Sequence, residues 1–256
     1  KIRLVMFFWE EIKFKNGTFK DKFLFVAIAI MALGQWSDSK ELAQEAYVAV
    51  ISNFTHKYEY EALNKINIGS NMEYISQQIG FPQLIKKSKY IDDISFAYYL
   101  NEKYILTLIL QDSRVTAYTI SALADDFTPN NLLNKKPSEN KISVADNTQN
   151  MTDFTLDYNN VDFFLTREEL GKDKLFMNQY FGAIGYKKNI NISAEELRKL
   201  YDEVNLEEDN SKVTQTRALN ISQKARNNFF GAGEVDLSVI ADSVLTNFEY
   251  SFYYKQ

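Results

Sequence analysis

The residue types that most often carry catalysis or bind metals are scarce in this chain. Cysteine is absent, and His56 is the only histidine among 256 residues. Thiol nucleophiles, iron–sulfur clusters and cysteine-ligated zinc are therefore excluded, and a catalytic triad or a histidine-based metal site lacks partners for His56. A histidine at a helix end is usually solvated or caps the helix. The sequence predicts no catalytic residue, no cofactor and no enzymatic activity.

Acidic runs and one glycine-rich motif are the next candidates. Asp92-Asp93, Asp125-Asp126 and Glu207-Glu208-Asp209 could seat a hard cation, but calcium loops need carboxylates that alternate around a glycine. Residues 231–234 read GAGE, a GxG without the third glycine of a dinucleotide-binding loop. We expect solvated turns at the acidic runs, and no metal site. At GAGE we expect a tight turn, with Phe229-Phe230 before it in the core.

Four tyrosines lie in segments with strand periodicity: Tyr98, Tyr99, Tyr104 and Tyr118. Aromatic side chains on strands could line a ligand groove or an edge at which a peptide adds a strand. Aromatic residues in strands more often pack the sheet itself. Both interpretations stay open, and these four are the candidate partner-binding residues.

Composition and charge narrow the function classes. Hydrophobic residues make up 45% and charged residues 25% of the chain, which is typical of a globular protein with a sizeable core. The net charge is −5, yet residues 1–22 hold six basic and three acidic side chains, which leaves 23 basic and 31 acidic residues in the remainder. An acidic body repels phosphate backbones, so nucleic-acid binding is disfavoured.

An apolar run at residues 23–36, from Phe23 to Trp36, follows this basic segment. With Ser37 it gives 15 uncharged residues, which as a helix extend roughly 22 Å, less than the ~30 Å hydrocarbon core of a bilayer. Three interpretations stay open. The basic flank favours a membrane signal-anchor, the length favours a buried helix, and a cleaved signal peptide fits the apolar length, although three acids in its leader are atypical. A further helix is expected at 37–54, and a short helix or connector at 56–66.

The clearest pattern lies between residues 68 and 126. Ser70 with Glu73 forms a capping box for a helix that Gly80 and Pro82 should end. Strand patterns and turns then alternate: 94–100, Asn101-Glu102, 103–110, Asp112-Ser113 and 114–123. We predict a helix packed against a three-stranded antiparallel meander.

The order I-G-S-x-x-E, G-x-P, an aromatic strand, a Leu-rich strand and D-S-R-V in residues 68–126 resembles the SmpA/OmlA-type lipoprotein domain of the outer-membrane assembly machinery. The resemblance implies a helix-plus-meander scaffold that binds protein partners. Such lipoproteins need a cysteine for lipid attachment, which this chain lacks, so a helical anchor would replace the lipid. More loosely, GQW at 34–36, residues 53–66 and this module resemble an uncharacterised bacterial family of amino-terminally anchored proteins, which implies no activity.

The second half begins after residues 128–150, which concentrate Asn, Ser and Lys with two of the three prolines and predict a linker or surface loop. Strand or extended patterns follow at 154–165, 178–192 and 241–256. Thr166 with Glu169 and Ser193 with Glu196 predict two helix starts.

The predicted fold class is α+β, in four parts. Residues 1–60 form a helical segment with a possible membrane anchor, 61–127 the helix-plus-meander module, 128–150 the linker, and 151–256 a second mixed α/β domain.

These patterns favour a non-enzymatic interaction or scaffold protein that binds a protein partner. We expect a single-pass tether to the cell inner membrane, with the carboxyl-terminal part outside the cytoplasm. The alternative is a soluble cytoplasmic sensor or effector that binds a small ligand or protein on an aromatic sheet face, with residues 23–36 buried. A third interpretation is a carboxylate-based hydrolase, which would need two acidic side chains that face each other in a cleft.

Overall fold

The structure, a computed structural model, describes residues 40, 41, 44, 56–127, 151–172, 177–186, 189–206 and 212–254. The chain divides into two compact units, Lys1–Lys57 and Tyr58–Gln256. The expected anchor at 23–36 and the expected linker at 128–150 lie outside the described residues. So does the expected helix at 37–54, apart from three described residues, at positions 40, 41 and 44, which are helical.

The described part contains six helices and eight strands. The helices are α1 (Lys57–Leu63), α2 (Met72–Ile79), α3 (Ala194–Leu206), α4 (Lys212–Lys224), α5 (Leu237–Asp242) and α6 (Asn247–Tyr254). The strands are β1 (Leu84–Lys87), β2 (Ile94–Leu100), β3 (Tyr104–Gln111), β4 (Arg114–Ala122), β5 (Asp153–Asp157), β6 (Phe163–Glu169), β7 (Asn178–Ile184) and β8 (Phe229–Gly233). Within the described ranges, no helix combines the length and the apolar character that crossing a membrane requires.

All eight strands belong to one antiparallel sheet in the order β1-β2-β3-β4-β8-β7-β6-β5. The last strand in sequence, β8, lies in the middle and pairs with both β4 and β7. Mixed α and β structure is therefore confirmed. The expected division between 61–127 and 151–256 does not separate two sheets, because β8 joins the strands of both segments.

The predicted meander is present as β2, β3 and β4, and β1 extends it by a strand that the sequence did not indicate. Asp112 and Ser113 have φ angles of 49° and 67°, the left-handed pair that a two-residue hairpin turn requires. Helix α2 is capped by Asn71, whose Oδ1 accepts a hydrogen bond from the Glu73 N–H at 2.8 Å. The cap therefore lies one residue beyond the predicted Ser70. Gly80 ends the helix as predicted, with φ 89°.

Two predictions of turn or helix are wrong because strand pairing overrides the local signal. Residues 166–169 belong to β6 rather than to a helix start, and the Thr166 hydroxyl donates to the Phe181 carbonyl on β7 at 3.3 Å. The GAGE motif is not a turn, since Gly231 and Gly233 lie in the central strand β8. Phe229-Phe230 is buried, as predicted.

The predicted carboxyl-terminal strand is also wrong, because residues 247–254 form helix α6. A capping box explains the helix. The Thr246 N–H donates to Glu249 Oε2 at 2.8 Å, and the Glu249 N–H donates to Thr246 Oγ1 at 3.2 Å. The capping box predicted at Ser193 and Glu196 is confirmed at the start of α3.

The two faces of the sheet are covered by different helices. The face that we call inner packs against α5 and α6 and carries a large apolar cluster, including Phe96, Tyr98, Phe163, Leu165 and Tyr180. The outer face packs against α1 and α2 over the meander, and against α3 and α4 over β6 and β7. The sheet is therefore the middle layer of three, with its core on both sides.

The sheet curls around α5 and α6. Adjacent strands lie about 4.8 Å apart, so the edges of a flat sheet of eight strands would be about 34 Å apart. Yet Asn247 of α6 donates a hydrogen bond to the Asn160 carbonyl beside β5, and Glu249 of the same helix pairs with Lys86 of β1 at 3.0 Å. Residues two apart in a helix differ by about 3 Å along its axis. One helical turn thus connects both edges of the sheet.

Candidate functional site

A cleft of about 410 Å³ lies where the two edges of the sheet approach each other. One wall is the loop after β1, with Lys89 and Tyr90, and the other is β5 and the loop after it, with Asp157 and Asn160. Helix α5 and the residues that follow it form the floor, which includes Asp242. Residues far apart in sequence therefore meet at this cleft, which we call the edge cleft.

Asp242 is the most constrained polar residue in the edge cleft. It is 9% exposed, and its Oδ2 accepts hydrogen bonds from the Ser88 hydroxyl at 2.7 Å and from the Lys89 N–H at 3.0 Å. Its other oxygen, Oδ1, accepts no hydrogen bond from the described residues, and the carboxylate has no ion pair with any of them. Two neutral donors thus hold a buried carboxylate in place, and its second oxygen accepts no hydrogen bond within the described residues.

A second carboxylate, Asp157, lines the opposite wall at the end of β5. Its Oδ1 accepts the Asn159 N–H at 2.8 Å, and its Oδ2 is 3.4 Å from Asn160 Nδ2. Beside it, burial raises the pKa of the Asp162 carboxyl, and the negative charge of Asp157 adds to that rise. The local field at this wall is therefore negative.

The rest of the lining mixes polar and apolar residues, with an exposed rim. Leu156, Ala241 and Val244 are half-buried and contribute accessible apolar surface. Tyr90 stands at the rim, 80% exposed. Lys89 supplies the one basic side chain among the lining residues, and its ammonium forms no ion pair within the described part of the chain.

The four candidate tyrosines do not form a common surface. Tyr98 is fully buried on the inner face, where its hydroxyl donates to the Ser243 carbonyl at 2.9 Å. Tyr99, Tyr104 and Tyr118 lie on the outer face, each at most 7% exposed. Tyr99 and Tyr104 line a small cavity of about 140 Å³ between the helices α1 and α2 and the sheet. In the folded unit these side chains pack the sheet.

The other sequence candidates are not among the residues that line the edge cleft, or they lie outside the described residues. His56 is buried. Asp93 accepts a hydrogen bond from Gln111 Nε2 at 2.7 Å, and Asp125 pairs with Arg226 at 3.2 Å. The run at 207–209 is not described. Among the residues that the structure describes, no group of three or more His, Asp or Glu side chains could hold a metal ion.

The sequence did not single out the edge cleft. One signal was available, because Asp242 is the only charged residue in the apolar stretch LSVIADSVL at 237–245. A charge inside an apolar run is costly to bury unless it is bonded or serves a site. Its partners, at positions 88 and 89, are more than 150 residues away, and the opposite wall follows from the curl of the sheet.

Comparison of the chain with protein-family models, with curated proteins and with solved structures found no match in any of the three. The resemblance of residues 68–126 to the SmpA/OmlA-type domain stays a prediction.

Proposed function

We propose that this protein is a non-enzymatic binding protein that takes a small ligand in the edge cleft, and that its amino-terminal segment tethers it to the cell inner membrane. The edge cleft is the observation that carries the proposal. Its volume of about 410 Å³ lies within the roughly 300–1,000 Å³ of small-molecule sites, and its mixture of apolar walls and a few oriented polar groups is typical of them.

Burial of the tyrosines supports the edge cleft over the aromatic sheet face as the ligand site. A ligand on the sheet face at Tyr98 would have to displace α5 and α6, and one at Tyr118 would have to displace the apolar cluster of the outer face. Burying large apolar side chains contributes roughly 1.5–3 kcal/mol each, so exposing either face is costly. The edge cleft is open without such a rearrangement.

The tether rests on residues 23–36 and on the charge asymmetry around them. Basic residues precede the apolar run and an acidic body follows it, which favours an orientation with the carboxyl-terminal part outside the cytoplasm. We also propose that a protein partner binds the carboxyl-terminal part outside the cytoplasm. Fusion of a compartment-sensitive reporter to the carboxyl terminus tests the topology. A reporter active only in the cytoplasm, with the protein in the soluble fraction, would favour the soluble sensor instead.

Ligand binding is tested by hydrogen exchange of the full-length chain against a panel of cationic, anionic and neutral small molecules. We expect slower exchange at residues 155–163 and 237–246, the two segments that contain most of the lining residues. Ser238→Trp should abolish this protection, because Ser238 is exposed and lines the cleft. Gln77→Trp is the matched control, since Gln77 is exposed on α2 and lies outside the lining.

Two further experimental results test the proposed function. The bound compound should be recovered chemically unchanged after prolonged incubation, since no turnover is expected. Protection that survives Ser238→Trp, or a panel that protects neither segment, would refute the edge cleft as a ligand site.

A further inference from the structure

The fixed charges of the edge cleft have a definite sign. Asp157, Asp242 and Lys89 are its charged lining residues, which gives a net charge of −1. Asp162, adjacent to two lining residues, adds negative potential whenever it is ionised. The chemistry of the lining therefore favours a positively charged group over an anion.

Asp242 places one of the negative charges at a fixed position in the edge cleft. Its Oδ2 is held by Ser88 and by the backbone of residue 89, so the carboxylate cannot rotate freely. A buried carboxylate that lacks a counter-charge pays a desolvation cost, and a ligand cation would recover part of it. Oδ1, which accepts nothing from the described residues, is the acceptor that such a ligand would reach.

The remainder of the lining selects the kind of cation. A hard divalent ion needs six or more oxygen ligands, usually from several carboxylates, and the described residues offer no group of three acids or histidines for one. The half-buried side chains of Leu156, Ala241 and Val244 instead offer apolar surface to a ligand with an apolar stem. Tyr90 at the rim offers an aromatic face to a cation.

We infer that the edge cleft binds a small organic cation, an ammonium or guanidinium group on an apolar stem, with Asp242 Oδ1 as the principal acceptor. This inference rests on the proposed function and names the ligand class of that site. Asp157 supplies a second negative charge on the opposite wall. Lys89 is the one positive charge of the lining and therefore weakens the binding of a cation.

Calorimetric titration of the full-length protein with n-butylamine, putrescine and agmatine tests the inference. Butyrate, butyramide and magnesium chloride serve as the anionic, neutral and divalent probes. We expect the amines and agmatine to bind at millimolar concentration or below. A charge-assisted hydrogen bond contributes about 1.5–3 kcal/mol, so Asp242→Asn should weaken binding by roughly 10- to 100-fold.

Two variants separate a specific contact from general attraction to an acidic protein. Asp112→Asn removes the same charge from an exposed turn outside the lining, at φ 49°, which asparagine tolerates; it should leave affinity within about twofold. Lys89→Gln should tighten amine binding, because it removes the one positive charge of the lining. If Lys89→Gln instead weakens binding, the ligand needs the lysine and is zwitterionic or anionic, which overturns the inference.

Failure of this inference is distinguishable from failure of the proposed function. Suppose that butyrate, butyramide or magnesium binds in preference to the amines, and that Ser238→Trp abolishes this binding. The edge cleft would then remain a ligand site, and the inference that its ligand is an organic cation would be refuted. Amine binding that Asp242→Asn and Asp112→Asn weaken equally would refute it as well. Absence of binding by every probe, together with no protection that depends on position 238, would refute both.

Discussion

Gly233→Ala probes whether the GAGE motif is a strand at the centre of the sheet or an exposed loop. Gly233 pairs with Ala117 on β4 and with Asn178 on β7. A Cβ added at position 233 would lie 2.1 Å from Ala117 Cβ and 2.6 Å from the Thr116 carbonyl oxygen. Gly171→Ala is the matched control, because nothing lies within 4 Å of the position of its Cβ.

The size of the clash sets the expected cost. Ordinary contacts of a Cβ begin at 3.4 Å, so strands β4 and β8 would have to move apart by about 1.3 Å at this point, given carbon–carbon contact distances of about 3.5–4.0 Å. A shift of that size breaks ladder hydrogen bonds of about 2.9 Å. Overpacking in a core costs about 1–3 kcal/mol, and backbone as well as side-chain atoms obstruct here. We expect the free energy of unfolding to fall by about 2–4 kcal/mol.

Denaturant unfolding of the full-length chain, followed by circular dichroism and fluorescence together, measures this change. In thermal unfolding of the same protein, we expect the melting temperature of a unit of this size to fall by about 5–12 °C. Gly171→Ala should change the free energy of unfolding by less than about 1 kcal/mol, in either direction. A loss below about 0.5 kcal/mol for Gly233→Ala, with an unchanged denaturant dependence, would refute the placement of β8 at the sheet centre.

Two further substitutions test the inner face and the α3–α4 pair. Tyr98→Phe removes the hydrogen bond to the Ser243 carbonyl and should lower the free energy of unfolding by about 1–2 kcal/mol, whereas the same change at Tyr90, which is 80% exposed, should have almost no effect. The hydrogen bond from Lys224 at 2.6 Å lowers the pKa of Glu196 from about 4.5 to about 2. The ionised Glu196 therefore stabilises the fold fully above about pH 4.5, and this stabilisation is lost as the pH falls toward 2. Glu196→Gln should flatten the stability profile in that window, and a profile that coincides with that of the unchanged protein would contradict the role of this pair.

The elements predicted correctly are those whose signals lie within a few residues. The meander of β2 to β4 needs only apolar runs broken by tight turns, and the turn at Asp112-Ser113 has the left-handed angles of such hairpins. The Ser193 capping box starts α3 with hydrogen bonds that span three residues. Where the cause is local, the sequence is sufficient to predict the element.

The elements predicted wrongly have signals that compete or partners that are remote. Residues 244–254 alternate like a strand, yet Thr246 and Glu249 also form a capping box, and the box is what the structure uses. The Thr166 to Glu169 spacing satisfies the same pattern, but β5 and β7 pair with that segment on both sides. Identical local signals therefore have opposite outcomes, and remote strand pairing decides between them.

The edge cleft depends on the most remote cause, the curl of the sheet. On the inner face the central strands carry unusually small residues at neighbouring positions: Ala117, Gly231, Gly233 and Gly182. A Cβ at Gly182 would lie 2.2 Å from the Phe164 carbonyl oxygen, and one at Gly231 would lie 3.2 Å from the Tyr180 ring. Side chains on a concave surface converge, so small residues at its centre allow the bend that larger ones would resist. The GAGE motif, which resembled a weak phosphate-binding loop, thus contributes to the curl of the sheet that brings Asp242 and Asp157 to one cleft. Neither Gly231 nor Gly233 is among the residues that line the edge cleft.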